Sequence, residues 1–367
     1  MGAMIRALTA RWTVLVPLLA AVALAVTWGR SLHSVGVIIV VAALMGAVLA
    51  AVHHAEVVAH RVGEPLGSLV LAVSVTVIEV ALILTLMSSG GEKTASLARD
   101  TVFAAVMITC NGIFGLSLLV GALRRRVAVF NAEGTGAALA TVATLATLSL
   151  VLPTFTTSKP GPEFSAAQLA FAAVASLALY GLFVMVQTVR HPGDFLPVEA
   201  DGVVADDEDV HDDRPSVRAT LISLALLLVS LVGVVGLAKM VSPSIESGVA
   251  SAGLPPSAVG VVIALLVLLP ETLAAVRAAR RDQVQISLNL ALGSAMASIG
   301  LTIPAIVLAT IWLEGPLVLG LGATQMVLLG LTVVVGVLTV VPGRATLLQG
   351  GVHLALFSAF VFLAASP

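Results

Sequence analysis

Long apolar runs separated by short polar breaks dominate this chain, and a run of about 20 apolar residues is enough to cross a bilayer as a helix. Eleven such runs are predicted, at about 13–29, 32–52, 66–87, 101–122, 136–153, 166–189, 217–240, 257–276, 284–311, 317–341 and 346–365. Helices are the expected form, because lipid offers no partner to an unpaired backbone amide. The polar breaks carry their positive charge unevenly. On the side of the N-terminus lie thirteen arginines: Arg6, Arg11, Arg61, Arg124, Arg125, Arg126, Arg190, Arg214, Arg218, Arg277, Arg280, Arg281 and Arg344. The opposite side holds five positive residues, Arg30, Lys93, Arg99, Lys159 and Lys239. Positive charge is retained in the cytoplasm, which predicts a cytoplasmic N-terminus and, for an odd number of spans, an outside C-terminus. Arg6 and Arg11 precede the first run as they would in a signal peptide. That run is long for one and further runs follow at once, so an uncleaved first span is expected.

Composition narrows the class. The chain has 59% hydrophobic and 10% charged residues, whereas soluble domains carry about 25% charged residues. It cannot cover a surface that faces water, so its main partner is the lipid bilayer. The expected fold is all-α, a polytopic membrane protein with 11 transmembrane helices. A net charge of −2 points to no partner. Cys110, the single cysteine, allows neither a disulfide framework nor a thiolate metal site. No phosphate loop, nucleotide fingerprint or nucleophile motif is present. Neither an enzyme, a resident cofactor nor a nucleic-acid partner is expected, and homo-oligomerisation is left open.

Between the sixth and seventh runs, Asp194 to Asp213 holds nine of the twenty acidic residues: Asp194, Glu199, Asp201, Asp206, Asp207, Glu208, Asp209, Asp212 and Asp213. By composition this is a solvated linker; a strip that concentrates cations is the other reading. It divides the chain into an extra first helix (1–31), five spans (32–190), the linker (191–215) and five more spans (216–367). The halves share a plan. The first has Ser74-Val-Thr76-Val-Ile-Glu79 in its second span and Ile108-Thr-Cys-Asn111-Gly in its third. The second has Leu268-Leu-Pro270-Glu271 and then Gly293-Ser294-Ala-Met-Ala-Ser298-Ile-Gly300. The charge pattern runs the third span outward and the eighth inward, so the halves form two inverted five-helix repeats, an arrangement that puts a transport site at the midplane.

Glu79 and Glu271 alone among the acidic residues fall well inside an apolar run. Placing a charge there costs about 2.5–3.5 kcal/mol on insertion scales, so the default reading is functional. Neither has an obvious basic partner within the spans in the sequence, and the missing countercharge points to a cation or a proton. Ca2+ takes six to eight oxygens, of which two carboxylates give up to four. Ser74, Thr76, Asn111, Ser294 and Ser298 are candidates for more along a cation pathway, together with carbonyls freed by Pro270, which has no N–H. Pro304 is expected to kink the ninth span, and Gly293 and Gly300 to let helices approach closely. Two buried carboxylates take up protons when no metal is bound, and metal binding expels them. If only a loaded site crosses, cation and proton exchange.

Other polar positions have simpler expectations. His53, Glu56 and His60, with His54, gather where the second span ends, and could admit protons or cations. Glu64-Pro65 and Asp100 look like helix starts. His353 lies in the last span without a partner in the sequence.

The segments Gly63-Glu64-Pro65-Leu66-Gly67 through Glu79-Val80, Leu97-Ala-Arg99-Asp100-Thr101 through Asn111-Gly112, and Ile286-Ser287-Leu288 through Gly293-Ser294 resemble the cation/proton exchanger family. This is the Ca2+/H+ branch of the calcium/cation antiporter superfamily, and the bacterial calcium/sodium–proton subgroup is the nearest match. The resemblance covers nearly the whole chain. It implies eleven spans, a bacterial cytoplasmic membrane location, and ion-binding glutamates at Glu79 and Glu271. The family's Gly-Asn pair before each glutamate reads Val75-Thr76 and Val267-Leu268 here, and a Gly-Ser pair reads Val106-Met107. Ca2+ is the expected cation, Na+ or K+ the alternative, and a cation channel a more distant one.

Overall fold

The computed structural model describes residues 2–30, 33–63, 66–90, 95–198, 215–312 and 315–366. Glu64-Pro65 and most of the acidic linker, 199–214, lie outside the described residues. The elements are helices almost throughout: α1 (Gly2–Thr27), α2 (Ser34–Val62), α3 (Leu66–Gly90), α4 (Leu97–Met107), a π-helical turn (Ile108–Ile113), α5 (Phe114–Arg125), α6 (Ala132–Ala146), α7 (Ala166–Met185), α8 (Val217–Ser251), α9 (Ala258–Val267), α10 (Leu269–Arg280), α11 (Val284–Gly300), α12 (Thr302–Ala309), α13 (Ala323–Val340) and α14 (Leu347–Ala365). Two short strands, β1 (Ala128–Val129) and β2 (Arg344–Ala345), pair antiparallel.

The chain is a polytopic helical membrane protein. Among the described residues eight helices are long and apolar enough to cross a membrane, or nine if α9 and α10 count as one bent span. The expected spans at 13–29 and 66–87 fall on α1 and α3, with apolar stretches at Trp12–Thr27 and Ala72–Ser88. Large apolar side chains stand outward on α7, α8 and α13, among them Phe171, Val174, Leu228, Val232, Val334 and Leu338. In water these rows would be costly, but a lipid solvent tolerates them.

Two compact units are present. One comprises residues 1–89 and 211–253, the other 90–210 and 254–367, so each draws helices from both halves of the sequence. In the first, α2 and α1 pack along α8 and against each other. Small residues set these approaches: a Cβ added at Gly236 would meet Leu24 at 2.5 Å. His54 is buried on α2, and its Nε2–H reaches the Thr13 carbonyl of α1 at 2.9 Å.

In the second unit α11 is the hub, packing against α4, α5, α6, α7, α10, α12 and the π turn. Every residue of α4 except Arg99 is buried. Between apolar helices in lipid, close packing and hydrogen bonds drive association in place of the hydrophobic effect. Gly300 shows the packing part, since a Cβ there would meet Tyr180 Cβ of α7 at 2.6 Å. Gly293 does not act this way, because a Cβ added there meets nothing within 4 Å. The hydrogen-bonding part is a chain on Gln285. Its Oε1 accepts from the Asn131 N–H (2.7 Å), and its Nε2 donates to Asn289 Oδ1 (2.7 Å) and Thr135 Oγ1 (3.3 Å). Asn289 passes the link to the Phe195 carbonyl at 2.6 Å.

One strap ties several helix ends of this unit together. Along Leu317–Leu321, Val318 N–H donates to the Ala95 carbonyl, Gly320 N–H to Pro162 and Leu321 N–H to Leu150, at 3.1, 3.0 and 2.8 Å. Thr154 Oγ1 donates back to the Leu321 carbonyl at 2.9 Å.

Candidate ion-exchange site

Glu271 sits in the first turn of α10, immediately after a break. The α9 and α10 axes differ by 53° across Leu268, whose ψ of 1° is not helical. Pro270 is the cause: without an N–H it cannot bond the Leu266 carbonyl four residues back. That carbonyl has lost its usual helical donor, and Thr272 N–H returns to Leu268 at 2.9 Å to restart the ladder. Glu271 is 7% exposed. The positive end of the α10 dipole reduces the cost of a charged carboxylate at this position. The ninth expected span passes from α11 to α12 at Leu301, three residues ahead of Pro304, but Leu301 keeps its helical bonds to Ala297 and Ala305 (3.0 and 3.1 Å) and no comparable bend is found there.

Asn111 lies within the π-helical turn Ile108–Ile113 and is fully buried. An inserted residue of this kind redirects side chains and is common at functional positions. The turn packs against α10, which carries Glu271, and against α11, which carries Ser294 and Ser298. Those two serines are one helical turn apart on one face; Ser298 is buried and Ser294 half-buried. The second unit thus holds Asn111, Glu271, Ser294 and Ser298 on mutually packed elements.

Glu79, Thr76 and Ser74 belong to the first unit, on α3, at 2%, 6% and 8% exposure. At 3.6 residues per turn Thr76 is about 60° round the helix from Glu79, whereas Ser74 is about 140° away. Ser74 Oγ donates to the Val70 carbonyl at 2.8 Å. On α2, Glu56 and His60 are exposed and share a face, and His53 is half-buried with its ring 5.9 Å from that of Trp12. Among the described residues no three of His, Cys, Asp and Glu gather as a ligand cluster.

The model of the family described as sodium/calcium exchanger protein matches residues 32–189 and 222–365. The chain belongs to this family. Relatives agree with the match. The exchanger is 45% identical over 362 residues to y4hA of Sinorhizobium fredii (strain NBRC 101917 / NGR234), which is named for ionic transport, covering 97% of this chain and 96% of the relative. It is 37% identical over 350 residues to the sodium-potassium/proton antiporter ChaA of Escherichia coli (strain K12), covering 94% and 93%. A solved H+/Ca2+ exchanger CAX shares the fold, with a TM-score of 0.70 at 15% identity over 95% of this chain and 86% of that one. The exchanger is accordingly a multi-pass antiporter of the cation/proton exchangers in the calcium/cation antiporter superfamily.

The exchanger holds two polar groups that sequence reasoning placed differently. Asp100 is not the cap of α4; Ser96 is, and Asp100 lies one turn inside. Its carboxylate is 4% exposed and accepts from Arg99 Nε (2.9 Å) and Ser96 Oγ (2.9 Å). Arg99 also reaches the Gly320 carbonyl on the strap at 3.1 Å. The group borders a cavity of about 280 Å³ that Gln325 and Phe360 also line. Removing one partner of a buried ion pair costs about 3–5 kcal/mol, less where one side is partly in solvent, as Arg99 is. Arg99→Leu is expected to lower thermal stability in detergent by about 2–3 kcal/mol, and adding Asp100→Asn to recover part of it, because the carboxylate no longer needs a countercharge. Equal melting temperatures for all three proteins would show that the pair contributes nothing.

His353, expected to stand alone, is the second. It is buried on α14, with Nδ1 3.1 Å from Asn111 Oδ1 and Nε2 3.2 Å from Thr339 Oγ1. Asn111 Nδ2 donates to Thr332 Oγ1 of α13 at 2.9 Å. A signal for these groups existed. Thr332, Thr339 and His353 are polar residues inside apolar runs, and the two threonines lie seven residues apart on one face of α13.

Proposed function

We propose that this chain exports Ca2+ in exchange for protons across the cytoplasmic membrane of a bacterium, by alternating access. Glu79 and Glu271 bind either the cation or protons. Residues 32–190 and 216–367 act as the two inverted repeats, 1–31 as the extra helix and 191–215 as the cytoplasmic linker, with the N-terminus inside and the C-terminus outside. Asn111, Thr76, Ser74, Ser294 and Ser298 line the path, and His53, Glu56 and His60 on α2 serve as an entry for protons or cations. The observation that carries this reading is the buried Glu271 directly after a proline break, packed on the element that bears Asn111. A carboxylate in that position offers negative charge to an ion together with a carbonyl that has lost its helical donor. Metal binding expels the protons it would otherwise hold, which couples the two fluxes.

A second reading keeps the site and changes the cation. Val75-Thr76, Val267-Leu268 and Val106-Met107 stand where the family pattern has more oxygen-bearing side chains, and a relative of 37% identity is a sodium-potassium/proton antiporter. Both favour Na+ or K+. The deciding measurement uses everted vesicles with an acidified lumen and a pH-gradient dye. Dequenching on addition of Ca2+ supports the first reading, and dequenching with Na+ or K+ alone supports the second. No dequenching with any of the three overturns both, and current without proton movement against its gradient indicates a channel.

A further inference from the structure

The hydrogen-bonding capacity around Asn111 fixes which way its carboxamide faces. Thr332 has one hydroxyl proton and donates it to the Leu328 carbonyl at 2.8 Å, with Met107 Sδ as a weaker alternative at 3.6 Å. Either way that proton is committed, so Thr332 Oγ1 can only accept from Asn111. The amide nitrogen therefore faces Thr332, and the oxygen faces His353. A carbonyl oxygen needs a donor, which places the ring proton of His353 on Nδ1. Nε2 is then an acceptor, and Thr339 supplies its hydroxyl proton. Asn and His orientations follow from such networks, and here the backbone bond to Leu328 settles the whole chain.

The ring cannot easily leave. Phe114 flanks it with centroids 5.0 Å apart. The backbones of α5 and α14 approach so closely that a Cβ added at Gly115 would meet His353 Cβ at 2.7 Å. The donor is thus held by two helices, while its acceptor sits on a π turn packed against α10 and α11.

We propose that His353 is a positioning residue: it holds the Asn111 carboxamide oxygen away from the transported cation, and so sets the balance between divalent and monovalent ions. This rests on the reading in which Asn111 lines the cation path. A divalent ion such as Ca2+ needs six to eight oxygens, and gains more than a monovalent one from each oxygen added to a sparse site. His353 takes one of the two lone pairs of the Asn111 oxygen, and with Thr332 at the nitrogen end it fixes the plane of the carboxamide, which turns the oxygen from that shell. Releasing it favours Ca2+.

The test measures apparent KM for Ca2+ and for Na+ in vesicles containing wild type, His353→Ala, His353→Asn and Thr332→Val. One hydrogen bond has a net worth of about 0.5–1.5 kcal/mol, or about two- to tenfold in an equilibrium. In His353→Ala the ratio of KM for Na+ to KM for Ca2+ is expected to rise by about fivefold. Thr332→Val frees the amide at its other end and moves the ratio the same way. His353→Asn carries an amide N–H near the Nδ1 position and restores the wild-type ratio. A purely structural role would lower the maximal rate for both ions and leave the ratio unchanged in His353→Ala and Thr332→Val, which would overturn the proposal. Should His353→Ala fail to fold, Thr332→Val decides the matter on the same ratio. Wild-type protein that moves no cation refutes the transport reading itself, and is thereby distinguished from wild-type transport with an unmoved ratio.

Discussion

In Glu271→Gln, cation-driven proton release is expected to fall at least about a hundredfold, and in Glu79→Gln by a similar factor. Glutamine matches glutamate in shape and keeps its hydrogen-bonding ability, so the substitution removes charge and the titrating proton and little else. Breaking a buried charge pair costs about 3–5 kcal/mol, and each 1.4 kcal/mol is about tenfold in binding. Loss of one carboxylate's attraction for the ion is enough for the predicted effect. Loss of the proton it exchanges adds to it, since the empty site can no longer reload. Stability should move the other way or not at all, because a neutral amide is cheaper than a carboxylate in an apolar helix. The check is the initial dequenching rate in vesicles, paired with a melting temperature in detergent. Rates within twofold of wild type in both variants would remove the two glutamates from the mechanism.

Gly350→Val is expected to prevent folding or to lower the melting temperature more than any other substitution discussed above. A Cβ at Gly350 would lie 2.8 Å from the Leu119 nitrogen and 3.0 Å from the Gly115 carbonyl oxygen. Both are backbone atoms of α5, which cannot step aside as a flexible side chain does. Ordinary overpacking costs about 1–3 kcal/mol, and a clash of one helix backbone with another exceeds that range. Gly351, next in the chain, is the control, because a Cβ there meets nothing within 4 Å. Gly351→Ala should melt like wild type. Gly350→Ala should fold at reduced stability and disturb the ion preference, since it moves α14 and with it His353. An unchanged melting temperature for Gly350→Val would refute the close contact.

The membrane class and the helical fold were legible because they follow from counts of apolar residues, which context cannot overturn. The break before Glu271 was legible too, since proline lacks an N–H wherever it is placed. Three kinds of feature were not. The π turn at Asn111 arises in an unremarkable stretch, Ile108-Thr-Cys-Asn-Gly-Ile, whose extra residue per turn leaves no mark in the pattern. Partners far apart in the chain were also hidden: His353 reaches Asn111 across 242 positions. Asp100 shows a third failure. A carboxylate near a helix start has two uses, capping its own helix or meeting an arginine, and only the position of Ser96 one turn earlier decides between them.

The strap at Leu317–Leu321 has a mechanical consequence. Its amides and carbonyls join Ala95 ahead of α4 to Leu150 and Thr154, which follow α6, and to Pro162, which precedes α7, while Arg99 donates to its Gly320 carbonyl. A rearrangement that spread these ends would have to sever several bonds at once. The cheaper route is to carry them as one rigid cluster and flex at the bend between α9 and α10, where Pro270 leaves the Leu266 carbonyl without its helical donor.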